Sequence, residues 1–382
     1  MRRSLPEIEQ EMLKRRLFNS ALILSTITAF TACDKDDSPT IPDYTVPNTY
    51  TFDNVEYAEA TGRVSMWAGF TAYLGRSTSR ELSQDTVNYL WANTNNAFTT
   101  ETSNNLPISV SAINALGYNL STKVADAAII KQYADSMVKV SKSYKGVATP
   151  GVPGKVGSRL INYSGVEFNQ LVAKGLMGAL QLNQVYSYLD KSVTEDNNNV
   201  TAGQGTAMQH DWDLAFGYVG IPKDYDTARG YASTEPNKPL AIGGYFRERG
   251  QYIKAGGIVF EAFRKGRAAI VAKDYARRDE AVATIKSTLE KTIAAAAYAY
   301  LTLPQGSSDL ATKFHAMSEG YGFVLALKYR PSNSPLTAAN YQALIDILKT
   351  NFYELSADAA NTKLKQGQTI LTTAYGQLQA NP

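Results

Sequence analysis

Cysteine and histidine are scarce in this chain: 382 residues contain one cysteine and two histidines. A lone cysteine excludes an intrachain disulfide and a cysteine-based zinc cluster, and two histidines leave few ways to build a histidine-rich metal site. Charge is also sparse, at 19% of residues, and nearly balanced, with 38 Lys and Arg against 35 Asp and Glu. No strong basic excess exists to hold a phosphate backbone, so no nucleic-acid partner is expected. Common catalytic signatures are missing too. The segment Gly151-Val152-Pro153-Gly154-Lys155 lacks the leading glycine and trailing Ser/Thr of a phosphate loop, with Thr149 and Val156 in those places. There is no Gly-x-Ser-x-Gly elbow, and His210 and His315 are too far apart for His-Glu-x-x-His. What the chain does have is 44% hydrophobic residues and 24 tyrosines, enough for a large folded body of one or two domains.

The N-terminus reads as an address. Lys14-Arg15-Arg16 precedes a mostly apolar run, Leu17 to Ala32, that is broken by Asn19, Ser25, Thr26 and Thr28 and followed by Cys33. A membrane-spanning helix needs about 20 apolar residues, so the run fits a processed secretory signal better. Met12 is the better start for such a signal, because Glu7, Glu9 and Glu11 precede it. Removing residues 1–32 leaves 33 basic against 32 acidic residues, so the apparent basicity belongs largely to the signal. Residues 33–50, with Pro39, Pro42 and Pro47 and no helical apolar period, are expected to form a tether.

Beyond the tether, the apolar spacing is helical. Ile130, Tyr133, Met137 and Val140 share one face, as do Leu171, Gly175, Gly178, Leu182, Val185 and Leu189, and again Val282, Ile285, Leu289, Ile293, Ala296 and Tyr300. No sustained Val/Ile/Thr alternation predicts a sheet. The spacing predicts an all-α bundle over 51–382. A helix around 166–190, apolar almost all round, should be central, and alanines 294–297 should allow close packing in a helix from about 279 to 301. The run Glu195-Asp196-Asn197-Asn198-Asn199 marks a candidate seam between halves 51–199 and 200–382.

Chemistry concentrates on two predicted helices. Over about 204–219, Met208, Trp212, Ala215 and Val219 form a stripe, with His210 and Asp213 opposite and Gly217 near them. Over about 308–329, Leu310, Phe314, Met317, Tyr321 and Val324 form the stripe, with His315 and Glu319 opposite, near Gly322 and Ala326. Each helix thus pairs an imidazole with a carboxylate three or four residues away. If the two faces met, His210, Asp213, His315 and Glu319 would offer two nitrogens and two carboxylates to iron, manganese or zinc, as helical bundles often do. Asp211 and Tyr321 could join the set. The alternative is that each carboxylate orients its neighbouring histidine inside a packed bundle. A second feature is the excess of Arg and Lys over 247–278, where Arg247, Arg249, Arg264, Lys265 and Arg267 are candidates for binding an anion. A solvated helix face would give the same pattern.

Five segments carry family resemblances. Phe30-Thr31-Ala32-Cys33 resembles a bacterial lipobox, which makes Cys33 the expected lipid-bearing N-terminus. The adjoining Lys35-Asp36-Asp37 resembles the signal by which Bacteroidetes export lipoproteins to the cell surface. The nonamers His210-Asp211-Trp212-Asp213-Leu214-Ala215-Phe216-Gly217-Tyr218 and His315-Ala316-Met317-Ser318-Glu319-Gly320-Tyr321-Gly322-Phe323 look like the paired signatures of a Bacteroidetes lipoprotein family of unknown function. The opening Tyr50-Thr51-Phe52-Asp53-Asn54-Val55 is similar to that family's start. The family is more distantly similar to imelysins, two-bundle helical proteins associated with iron uptake and sometimes classed as peptidases. Imelysins carry Gly-x-His-x-x-Glu; here Lys313 stands at the glycine, Ser318 at the third place and Glu319 at the fourth. The resemblance implies an imelysin-like outer-membrane lipoprotein, lipid-anchored and facing the exterior, that binds a metal or metal-bearing ligand for iron acquisition beside a TonB-dependent receptor. The alternatives are a metallopeptidase using a metal-bound water at His210, Asp213, His315 and Glu319, or a structural or docking lipoprotein with no ligand site.

Overall fold

The computed structural model describes residues 43–380. The signal, Cys33 and Lys35, Asp36 and Asp37 lie outside the described residues.

The predicted helices form, and their ends follow from local chemistry. The first, α1 (Ala58–Gly75), is followed by α2 (Gln84–Ala92), where the Ser83 hydroxyl accepts from the Thr86 amide. After α3 (Val110–Ala115) and α4 (Ala127–Ser141) comes a small hairpin, β1 (Gly154–Val156) and β2 (Arg159–Ile161), antiparallel with Lys155 opposite Leu160. Gly157, at φ 57°, makes the left-handed turn between the strands.

The helix expected around 166–190 is α5 (Phe168–Leu176), continued through a π-helical turn, Met177–Leu182, into α6 (Asn183–Thr194). All six residues of that wide turn are buried. The side chain of the buried Gln181 reaches two other elements, donating to Tyr218 O at 2.8 Å and accepting from the Ile242 amide at 3.1 Å. Gly178 is required here, because a Cβ would sit 2.3 Å from Ala326 Cα.

The histidine helices are α7 (Ala207–Val219) and, later, α11 (Leu310–Ala326). Thr206 and Gln209 close α7 with a reciprocal capping box, while Asp309 caps α11 by accepting from the Ala311 and Thr312 amides. Between them run α8 (Ile242–Glu248), α9 (Ala255–Ala272) and the 28-residue α10 (Tyr275–Thr302). Alanines 294–297 are buried in α10, which packs against α9, α11 and the C-terminal α14 (Thr362–Tyr375). The shorter α12 (Ala338–Lys349) and α13 (Phe352–Ala357) cover α11. The architecture is therefore all-α, with α5, α6, α7, α10 and α11 at its centre.

Residues 43–50, expected at the end of the tether, lie against this body. The Tyr44 hydroxyl donates to Asp274 at 3.0 Å, Arg264 donates to Pro47 O at 2.5 Å, and the Tyr50 amide donates to Lys223 O at 2.7 Å.

Candidate functional site

The sequence places His210 and Asp213 together on a polar side of α7. Past its half-exposed first turn, that helix has no polar side in the structure, because every residue from Trp212 to Val219 is buried. Asp213 is fully buried, and so is Arg267 of α9. Asp213 Oδ1 accepts from Arg267 Nε at 2.9 Å and from the Tyr50 hydroxyl at 2.6 Å. Burial pushes the Asp213 carboxyl up to about 6, against the pull of Arg267 and the Tyr50 hydroxyl, so the pair is ionised at neutral pH. The Tyr50 ring stacks on Phe216 at 3.7 Å between centroids, Arg267 donates to Asp53 O at 3.3 Å, and its guanidinium lies 5.2 Å from the Phe52 ring centre. The segment Tyr50 to Val55 and the first nonamer thus meet through one ion pair. His210 stays at the margin, with Nδ1 3.9 Å from Glu56 Oε2, too far for a hydrogen bond.

His315 and Glu319 do come together, with Nε2 3.6 Å from Glu319 Oε1. Two partners that spacing does not reveal join them. Glu167, in the loop before α5, meets His315 Nδ1 at 2.6 Å, and Lys174 of α5 places its ammonium 3.1 Å from Glu319 Oε1. The Glu167 amide donates to Ser318 Oγ at 2.9 Å, which fixes the loop to α11. Gly322 lets the helices approach, since a Cβ there would meet Lys174 Cβ at 2.6 Å. The cluster continues through Tyr245, whose ring centre is 5.2 Å from the Lys174 ammonium and whose hydroxyl is 3.4 Å from that of Tyr300. Tyr300 in turn donates to Glu248 at 2.8 Å, beneath the Arg249 guanidinium. Burial, with Glu319 adding to it, pushes both phenols well above the ordinary tyrosine range.

These donors do not fit a shared metal. Asp213 is engaged by Arg267 and Tyr50, Glu319 by Lys174, and His315 by Glu167, so three of the four side chains already have a charged or donating partner, and His210 lies apart from them beside Glu56. Lys174 holds Glu319 Oε1, while Glu319 Oε2 is buried without a hydrogen-bond partner. Among the described residues, no group of three or more His, Cys, Asp and Glu is arranged to hold a metal ion.

The five basic candidates disperse. Besides Arg267, Arg249 pairs with Glu248 at 3.5 Å, Lys265 pairs with Glu261 at 2.6 Å, and Arg264 holds Pro47 O. Arg247 alone of the five faces a cavity without a carboxylate in ion-pair contact among the described residues.

Two adjoining cavities lie at the C-terminal end of α7. The larger, about 360 Å³, has apolar walls from Tyr57, Val64, Ile221 and Leu240, with Gly217 and Lys238 also on its lining. Gly220 ends α7 at φ 78°, and its carbonyl accepts from the Leu240 amide at 2.8 Å, which brings Asn237, Lys238 and Leu240 to the cavity wall. A volume of this size suits a small ligand. The smaller cavity, about 150 Å³, is lined by Tyr225, Tyr231, Arg229, Arg247 and, again, Lys238. Sequence reasoning missed both because 220–240 has no period; its only signal is punctuation by Gly220, Pro222, Pro236 and Pro239.

The helical body and its paired nonamer helices correspond to one known domain. Residues 47–376 match the family described as a domain of unknown function (DUF4856), and the chain belongs to that family. No curated protein and no solved structure matches the chain.

Proposed function

We propose that the protein is a lipoprotein anchored through Cys33 at the outer-membrane surface, with a helical body that binds a small organic ligand and holds no resident metal. The observation that carries this reading is the 360 Å³ cavity beside Gly217, apolar inside and polar at its rim through Lys223, Asp224 and Lys238. The engagement of Asp213, Glu319 and His315 by other side chains supports a binding module over a metallopeptidase. An iron-acquisition role beside a TonB-dependent receptor, implied by the imelysin resemblance, is compatible with this body if the iron arrives inside an organic chelate. Surface anchoring rests on Phe30-Thr31-Ala32-Cys33 and Lys35-Asp36-Asp37.

The test is titration of the mature protein with 2-naphthol, a neutral aromatic probe, followed by calorimetry. Saturable binding that is lost in Thr61→Trp, which fills the cavity from a half-exposed position on α1, supports the reading; no saturable binding sinks it. Elemental analysis of the same sample should find no stoichiometric iron, zinc or manganese. Protease shaving of intact cells should remove the body, and Lys35, Asp36 and Asp37 all changed to alanine should protect it.

A further inference from the structure

Lys238 lines both cavities at the end of α7, and it has spare donor capacity. Its ammonium donates to Asn105 O at 2.6 Å and to Glu235 O at 3.1 Å, which uses two of three N–H groups. Both acceptors are backbone carbonyls, and the Glu235 carboxylate acts on the ammonium only through space. Arg247, across the smaller cavity, donates to Arg229 O at a long 3.4 Å. Neither Lys238 nor Arg247 forms an ion pair among the described residues. The nearby Arg229 differs: it pairs with Glu235 at 2.5 Å and lies 4.8 Å from the Tyr231 ring centre. The acid on this lining, Asp226, is occupied in part by the Ala228 amide at 2.8 Å. Burial pulls the Lys238 ammonium below its usual range, the sign of a charge partly withdrawn from water without full compensation.

We propose that the ligand is an organic anion, with its apolar body in the 360 Å³ cavity and its oxyanion group held by Lys238 and Arg247. This rests on the reading of the larger cavity as the ligand site and adds the class of ligand. A carboxylate, sulfonate or phosphate would complete the third donor of Lys238 and take two parallel N–H groups from Arg247, the geometry in which charge-assisted bonds are strongest. The surrounding tyrosines keep water from competing on one side. No covalent step is involved.

The experiment compares naphthalene-2-sulfonate with neutral 2-naphthol on the mature protein at physiological ionic strength. The sulfonate should bind at least about tenfold more tightly. Arg247→Gln, outside the lining of the larger cavity, should bring it to the level of 2-naphthol while leaving 2-naphthol itself unchanged, and Lys238→Gln should narrow the gap between the two probes. Arg247 is exposed, so its variant tests the idea even if Lys238→Gln loosens the loop. Equal affinity for the two probes in the unmodified protein overturns the anion assignment and leaves the cavity reading standing. A preference for the sulfonate that survives in both variants overturns the assignment of these residues. Failure of both probes to bind overturns the cavity reading and this inference with it.

Discussion

Replacement of Arg267 by methionine tests whether the Asp213 to Arg267 pair holds the N-terminal segment to the bundle. The substitution keeps most of the side-chain volume and removes the only cation in ion-pair contact with Asp213 among the described residues. Both residues are fully buried, so solvent cannot replace the lost charge. Breaking such a pair from one side costs about 3–5 kcal/mol, a large part of the roughly 5–15 kcal/mol that stabilises a typical domain. The cost should depend on pH. Burial already holds the Asp213 carboxyl up to about 6, and without the guanidinium it moves higher. A raised folded-state value means that the neutral form suits the fold, so the contribution is fully present below the unfolded value and is lost as pH rises through the folded one. The penalty of Arg267→Met should therefore be largest above neutrality and shrink as the variant takes up its proton on the way down to about 6. Urea denaturation at a series of pH values measures it. Hydrogen exchange of residues 50–57 should rise in parallel, because Arg267 also holds Asp53 O and lies over Phe52. The double variant Asp213→Leu/Arg267→Met removes both charges and should recover much of the loss. A single-variant cost below about 1 kcal/mol, in the range of exposed pairs, or a cost independent of pH, would refute the reasoning.

Other substitutions probe separate links. Gly178→Ala forces a Cβ against the backbone of Ala326 and should cost about 1–3 kcal/mol, read as a lowered Tm. Gln181→Leu strips buried partners from Tyr218 O and the Ile242 amide, and should cost about 1–3 kcal/mol per orphaned group in denaturant titration. Lys328 first, and then the Tyr329 hydroxyl, hold the Asp126 carboxyl below the usual range. That contribution is present above the unfolded value and lost as pH falls through the lower folded one, so Asp126→Asn should flatten this part of the acid limb of the stability profile. An unchanged limb counts against it.

The helices were legible because their signals are local. Periodicity located α10 within a few residues, and the apolar girth of 166–190 marked a central helix that is indeed buried through its π turn. Spacing also placed His315 beside Glu319, since i and i+4 share a helical face. It could not supply Glu167 and Lys174, which come from a loop and a helix far back in the chain and are joined to His315 and Glu319 only by packing of α5 on α11. On α7 the same rule misled: a helix buried on all sides past its first turn puts Asp213 in the core, where it found Arg267 and Tyr50, while His210 remained at the half-exposed margin. The cavities were illegible for a different reason. Their walls come from irregular chain between 220 and 240, where no repeat predicts which side chains will face one another.

The π turn at Met177–Leu182 makes helix length a coded quantity in this protein. A wide turn accommodates about one residue more than an α-helical path, and each residue rotates the downstream helix by about 100°. Deleting one residue inside 177–182 would let the helix relax to a regular coil at little local cost. The damage would fall within the turn: Gly178 and Gln181, the contacts that seat Ala326 and the start of α8, could no longer both face their partners. The irregular turn thus absorbs a residue between α5 and α6 and spends it on aiming Gln181 at the end of α7 and the start of α8.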